Sequence, residues 1–507
     1  MKVRNFYFLS ILLLSAAMTS CSSSDVEEGT AAENTQKAVF KAAMPDDGTR
    51  VTLTDPTKSG LTTNWTAGDK VLAVDITKGN VSGTFALTSG VGTASGTFAG
   101  TVTGGLSDQD KVCAYYPSTL TLTGNSVAAD YSTQKGDLSG VQDQTVLYTE
   151  PTTYTSDGNS TLYFKHAASY LRININVGKQ ATIKTVTLLG NALTANDMVS
   201  SGSFSGSSWT STKAKQIVAT LNNGSGTATD GNGKLTVYMA VLPQALANGF
   251  TLVAKDADGY AYKYTRNAST TFAQGKIHTI NSSSNAWTNT SKGIFDGKHY
   301  EWDAKAAYPT DGTTPDAGTD SYYNTTTFTV SNPPTAEEGA SKTYPTQNAE
   351  FKNCPTYNEI TWYLAGGIYY DANQRWGAGE NEKGGLWLKK KTKIIADDTK
   401  GAGSTAVTAE TFTSSQSGIT IVNSTTNPTL ILTIAPDDLY TNWFFLPATG
   451  YYYNGTLYNA GTVGYYWSST PSTPSTPDGA WNLIFFDGNA SVACNYRSNG
   501  FCLWAAQ

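Results

Sequence analysis

Between residues 171 and 177 apolar and polar side chains alternate without a break, Leu171, Ile173, Ile175 and Val177 against Arg172, Asn174 and Asn176. Strict period two predicts a half-buried strand. Comparable apolar runs recur along the first 290 residues, each closed by a turn signal. Residues 38–44 stop at Pro45-Asp46-Asp47-Gly48, residues 71–74 follow the turn Trp65-Thr66-Ala67-Gly68-Asp69, and residues 112–116 end at Pro117. Residues 235–242 end at Pro243, and 251–254 and 260–264 flank Asp258-Gly259, a hairpin signal. A helical pattern stands out in 354–367. There Thr356 and Glu359 form a capping box, Ile360, Tyr363 and Leu364 share one face, and Gly366-Gly367 supply the stop.

A chain of 507 residues is too long for one core and suits about three domains. The patterns divide it into β units at 37–158 and 159–288 and a Trp-rich unit at 292–507, in which a helix joins the strands. The fold class is therefore mainly β with an α+β third unit. Composition agrees, since charged residues are only 15% while Gly, Thr, Ser and Asn abound. The net charge of −6 is spread thinly and leaves no basic stripe for phosphates, which argues against nucleic acid as a partner.

The N-terminus carries an export address. Lys2 and Arg4 precede an apolar stretch from Phe6 to Ala17, and small residues then lead to Cys21, predicting a signal peptide over 1–20. The polar, acidic run that follows makes 21–36 a tether with Cys21 as the lipidated residue, so the membrane is contacted through a lipid anchor only. The pattern resembles bacterial lipoprotein processing and implies an outer-membrane lipoprotein at the cell surface. Cys113, Cys354, Cys494 and Cys502 have no metal-binding spacing, and neither a metal nor another cofactor is expected. Cys494 and Cys502 flank a turn-like Arg497-Ser498-Asn499-Gly500 and stand as either a disulfide across a hairpin or two separate thiols.

Residues 37–288 resemble the fimbrillin family, the type V pilins of Gram-negative anaerobes. The resemblance rests on Trp65-x-x-Gly68-Asp69, Ala114-Tyr115-Tyr116-Pro117, Phe164-x-His166-x-Ala168 with the alternating strand after it, and Leu242-Pro243 ahead of Asp258-Gly259. It implies two transthyretin-like β-sandwich domains. It further implies that a trypsin-like protease cuts after Arg50, in the loop behind strand 38–44. That strand then leaves its sheet, and a neighbouring pilin subunit donates a strand to the groove. The last unit resembles C-type-lectin-like domains of the FISUMP type, through 354–359, 446–451, Gly464-Tyr465-Tyr466-Trp467-Ser468-Ser469-Thr470, Trp481-x-Leu483-x-Phe485 and Arg497-x-x-Gly500. That family usually carries arginine where Trp504 stands, so Trp504 is expected to serve contact.

Catalytic signatures are missing: there is no Gly-x-Ser-x-Gly elbow, His-Glu-x-x-His or Walker loop, and the chain is not expected to be an enzyme. Asp371, Glu380 and Glu382 read as a solvated acidic loop and His166 as a structural histidine. The calcium-site tripeptide of sugar-binding lectins is broken at Trp481-Asn482-Leu483, so no sugar-binding calcium is expected. The third unit is instead crowded with tyrosine and asparagine, a mixture that gives rigid contact area and adaptable hydrogen bonds. Its candidate ligand-binding residues are Tyr452, Tyr453, Asn454, Tyr458, Asn459, Asn482, Asp487, Asn489, Asn495, Tyr496, Ser498, Asn499 and Trp504, with Tyr496 and Trp504 as anchors. The expected target is a glycan or protein on a host or bacterial surface. Two functions follow, a pilus-tip adhesin and a lipid-anchored binding lipoprotein that never polymerises. The first is favoured, because a lectin-like unit stands where a shaft pilin would carry its donor strand.

Overall fold

The computed structural model describes residues 35–44, 64–192, 198–309, 349–375, 383–397 and 431–507, less 80, 207, 215, 283–285, 291–293, 305, 433, 473–478 and 488, together with 412, 421 and 422. Cys21, Arg50, Glu380 and Glu382 lie outside the described residues. The chain is mainly β.

The strands of the first unit, in chain order, are β1 (Thr35–Ala43), β2 (Lys70–Asp75), β3 (Val81–Ser89), β4 (Ser95–Thr103), β5 (Lys111–Tyr116), β6 (Leu122–Thr123), β7 (Ser126–Asp130), β8 (Thr133–Gln134), β9 (Leu147–Thr149), β10 (Thr152–Thr153) and β11 (Thr161–His166). One sheet runs β10-β5-β2-β3-β4-β1-β11-β9, and an additional β5–β9 pairing rolls it closed around its own core. Phe40, Trp65, Phe85, Phe98, Leu162 and Phe164 fill that core. The turn before β2 has a clear cause. Gly68 takes φ +90°, and the Asp69 carboxylate accepts from the Thr66 N–H at 2.7 Å and from the Tyr116 hydroxyl at 3.0 Å. The turn is thereby tied to the end of β5, while Trp65 lies fully buried against Phe98 and Phe164.

The second unit is a sandwich. A sheet of Lys234–Val241, Ser169–Asn176 and Ile277–Asn281 faces a larger one built on Thr182–Gly190 and Phe250–Asp256. Leu171, Ile173 and Ile175 point into the shared core, as their alternation predicts. His166 is buried and bonds the Tyr170 hydroxyl, a structural role.

The boundary at 158/159 needs correcting. Strand β11 lies beyond it yet pairs with β1 and β9 in the first sheet. In the other direction β7 pairs with Met198–Ser205 and β8 with Gln216–Thr220, both in the second unit. Gln134 clasps the Ala240 backbone from both sides, at 2.6 and 2.7 Å. The first two units are interlocked by exchanged strands.

In the third unit a six-stranded sheet, Phe295–Tyr300, Phe501–Trp504, Val463–Pro471, Gly479–Phe486, Asn489–Tyr496 and Ile421–Val422 in that order, packs with a four-stranded one around Tyr363, Leu386, Phe444, Tyr466 and Phe485. The helix Tyr357–Ala365 forms as its sequence predicts. Thr356 and Glu359 exchange the capping-box bonds, and Gly367 leaves the helix at φ +98°. Contact with the second unit is direct: Tyr440 packs on Leu189, Val253 and Ala261, and the Arg375 N–H donates to the Gly259 carbonyl at 3.0 Å.

Candidate functional site

Two places in the fold have the shape of an interaction site. The first is β1. It is an interior strand, paired antiparallel with β4 over nine positions and parallel with β11 over three. Ala38, Phe40, Ala42 and Met44 point inward and are buried, Phe40 completely, with its ring edge-on to Phe85 at 5.0 Å. Opposite Ala38 and Ala42, β4 carries Gly100 and Gly96. Taking β1 away would leave a slot about 30 Å long, walled by the open edges of β4 and β11 and floored by aromatic rings.

The second is a hairpin in the third unit, Tyr451–Tyr453 paired with Thr456–Tyr458 through an Asn454-Gly455 turn with φ +48° and +77°. Both turn residues need the left-handed region, which asparagine and glycine tolerate best. Below the hairpin, Tyr452 is buried, stacked on Tyr308 at 5.0 Å and edge-on to His299 at 5.2 Å. Tyr452 and Gly500 exchange backbone bonds at 2.9 Å, joining the hairpin to the 496–500 turn. A Cβ on Gly500 would stand 2.7 Å from the Tyr308 ring, so the close approach requires glycine there.

The candidate residues divide. Tyr453, Asn454, Tyr458, Asn459, Asp487, Tyr496 and Ser498 are exposed, and Asn489 and Asn495 half-buried. Four need correcting as contact residues. Trp504 is 2% exposed, its indole N–H donates to the Trp467 carbonyl at 3.0 Å, and its ring packs on Tyr363 and Phe444. Asn482 is fully buried and its amide oxygen accepts from the Asn495 amide at 2.8 Å. Tyr452 and Asn499 are buried as well. Nor do the exposed residues form one patch. Asp487 joins Phe486 to Asn489 at one end of a long hairpin, and Tyr496 pairs with Gly479 at the other, about 24 Å away. Tyr451, Thr456 and Leu457 belong to the exposed hairpin and were missed, although Asn454-Gly455 is a strong hairpin signal.

Cys494 and Cys502 form no disulfide, and their strands are separated by two others in the sheet, so they do not face each other. Cys494 donates to Ser472 at 3.3 Å, and Cys502 lies 3.2 Å from the Thr449 hydroxyl. Arg497 is buried with its guanidinium over Trp302 at 4.5 Å. Among the described residues no group of three or more His, Cys, Asp or Glu is arranged to hold a metal ion, and no helix is long and apolar enough to cross a membrane.

Burial under the hairpin pushes His299 down to about 4, against the pull of the Gly450 and Thr449 backbones and Asp296. The folded state thus keeps the ring neutral where the unfolded chain protonates it near 6.5. Stability from this source is complete above pH 6.5 and is lost as pH falls towards 4. At about 1.4 kcal/mol per pH unit it amounts to at most about 3 kcal/mol, trimmed by the part of the ring that stays exposed. Thermal unfolding of the third unit should therefore drop steeply between pH 6.5 and 4, and His299→Gln should flatten that slope. An unchanged slope in the variant would assign the acid sensitivity elsewhere.

No curated protein matches the chain. Among solved structures it is similar to a candidate cell adhesion protein of Bacteroides uniformis, at 19% identity over 50% of this chain and 95% of that one, with a TM-score of 0.33. It is also similar to a fimbrial protein of Bacteroides ovatus, at 11% identity over 92% and 98% with a TM-score of 0.24. A third is the tip fimbrial protein Mfa3 of Porphyromonas gingivalis, at 10% identity over 46% and 81% with a TM-score of 0.22. Likenesses at such scores carry no functional weight. Residues 49–296, a stretch that takes in most of the first unit and the whole second, match the model of the fimbrillin-like family.

Proposed function

We propose that the protein is a surface-exposed fimbrial subunit of the adhesive, tip-located kind, assembled by strand exchange through the first unit and recognising its target through the third. The fimbrillin-like match over 49–296 carries the fimbrial part of the reading. The strand-exchange part is supported by β1, a strand with one apolar face and a long ladder to β4, whose loss would create an acceptor for an incoming strand. Cys21 is the lipidated residue and Arg50 the processing site in this reading. The C-type-lectin-like resemblance of the third unit, with its exposed tyrosines, favours recognition of a surface glycan or protein.

Sequencing the N-terminus of the protein from isolated pili tests the reading. A start at Val51 is expected in assembled copies, together with loss of assembly in Arg50→Ala. A start at Cys21 in every copy, or the protein's absence from pili, overturns polymerisation and leaves a lipid-anchored binding lipoprotein.

A further inference from the structure

The hairpin at 451–458 has a chemistry of its own. Directly opposed residues of an antiparallel pair share a face. Tyr451 opposite Tyr458, and Tyr453 opposite Thr456, therefore put three tyrosines on one side, with Tyr452 and Leu457 on the other. Tyr451 is the foot: its ring lies 4.7 Å from Tyr465, which in turn meets Phe501 at 4.6 Å, so the platform is continuous with the core. Tyr458 is stacked on Tyr451 at 5.6 Å and an interplanar angle of 30°. Tyr453 and Tyr458 remain 47% and 42% exposed and lie diagonally across the hairpin, at a backbone spacing of about 7–8 Å. Tyr458 is backed by the Tyr451 ring, and both outer tyrosines remain exposed.

The segment that carries the rings is itself free of charge. Between Asp438 and Asp478 the sequence contains no Asp, Glu, Lys, Arg or His, and from 439 to 507 only Asp478, Asp487 and Arg497 carry charged side chains. Arg497 is buried, and Asp487 follows Phe486, which pairs with Val463 near the base of the hairpin, so the charge there is negative. What borders the rings is instead Asn454, Thr456 and Asn459, all exposed, which offer both donors and acceptors.

We propose, resting on the adhesin reading above, that this tyrosine face binds the pyranose rings of an uncharged glycan, without calcium. A neutral hexose presents an apolar face of C–H groups and an edge of hydroxyls, which an aromatic face bordered by amides and hydroxyls complements. An anionic glycan would lose hydration against rings whose own segment supplies no cation, with the Asp487 carboxylate near the hairpin's base. Scale points the same way. The two outer tyrosines expose on the order of 200 Å², suited to one or two sugar rings and about a quarter of one side of a standard protein–protein interface.

The test uses the full-length protein on an immobilised panel of neutral hexose oligosaccharides beside their sialylated and sulfated counterparts, with and without a calcium chelator. Binding should be confined to neutral members and indifferent to the chelator. Tyr453→Ala and Tyr458→Ala should each lower affinity about tenfold, with Tyr458→Phe close to the parent and Tyr163→Ala, on the first unit, as the control. Because Tyr458 supports Tyr451, melting curves accompany each variant, and the substitution at Tyr453, the more exposed of the two, must show the loss at unchanged melting temperature. Binding only to acidic glycans, chelator-sensitive binding, or undiminished binding by both alanine variants overturns the proposal. Adhesion to whole cells is measured in parallel. If adhesion needs the tyrosines but no glycan is bound, the partner is a protein and only the glycan assignment falls. If adhesion survives removal of both tyrosines and of residues 292–507, the adhesin reading falls with it.

Discussion

Trp504→Ala is expected to destabilise the third unit by about 3–5 kcal/mol, the usual cost of emptying a large aromatic site. The indole is 2% exposed and packs among Tyr363, Phe444 and Tyr466, all belonging to one core. Deletion also leaves the Trp467 carbonyl without its 3.0 Å partner. The loss should appear in denaturant melts as a shift of the third unit's transition, since the first two units share exchanged strands with each other. Tyr496→Ala supplies the contrast. Its ring is 68% exposed, and removing it should move stability by no more than about 0.5 kcal/mol. A Trp504→Ala protein as stable as the parent would restore that residue to the surface.

Trp504 shows where sequence reading stops. A half-buried strand announces itself by alternation, as Ser169–Asn176 does, because only one face meets the core. Phe501–Trp504 lies inside a sheet covered on both faces, all four residues are buried, and no alternation remains to distinguish inward from outward. Asn482 failed for a related reason. A polar residue in a strand reads as solvent-facing, but the Asn482 amide oxygen accepts from the Asn495 amide across a hairpin whose pairing the sequence does not display. Local signals fared better. The capping box at Thr356 and Glu359, the Gly366-Gly367 stop and the Trp65–Asp69 turn are each specified within a few residues, and each forms. Strands β7 and β8 escaped assignment because their partners in the second unit lie about 70 or more residues further on, a distance at which pattern says nothing about pairing.

Phe40→Ala is the corresponding experiment on the first unit, and a loss of about 3–5 kcal/mol is again expected. Phe40 is fully buried between Phe85 and Tyr154 and stands opposite Phe98 on β4, so its removal opens a cavity at the middle of the closed sheet. Since β7 and β8 are built into the second unit, the two units should melt together, and the shift should be shared by both while the third unit's transition stays in place. Val39→Ala is the control, because Val39 is 38% exposed on the outer face of the same strand and its loss should cost well under half as much. The same substitution bears on assembly. A strand that leaves its sheet must surrender its inward side chains, and Phe40 is the largest of these in β1, so truncation should speed the departure of β1 once the chain behind it is cut. Hydrogen exchange of the β4 and β11 amides, followed after tryptic cleavage, would report that departure. Faster exchange in Phe40→Ala than in the parent is the expected result, and equal exchange in both would mean that β1 does not leave the sheet.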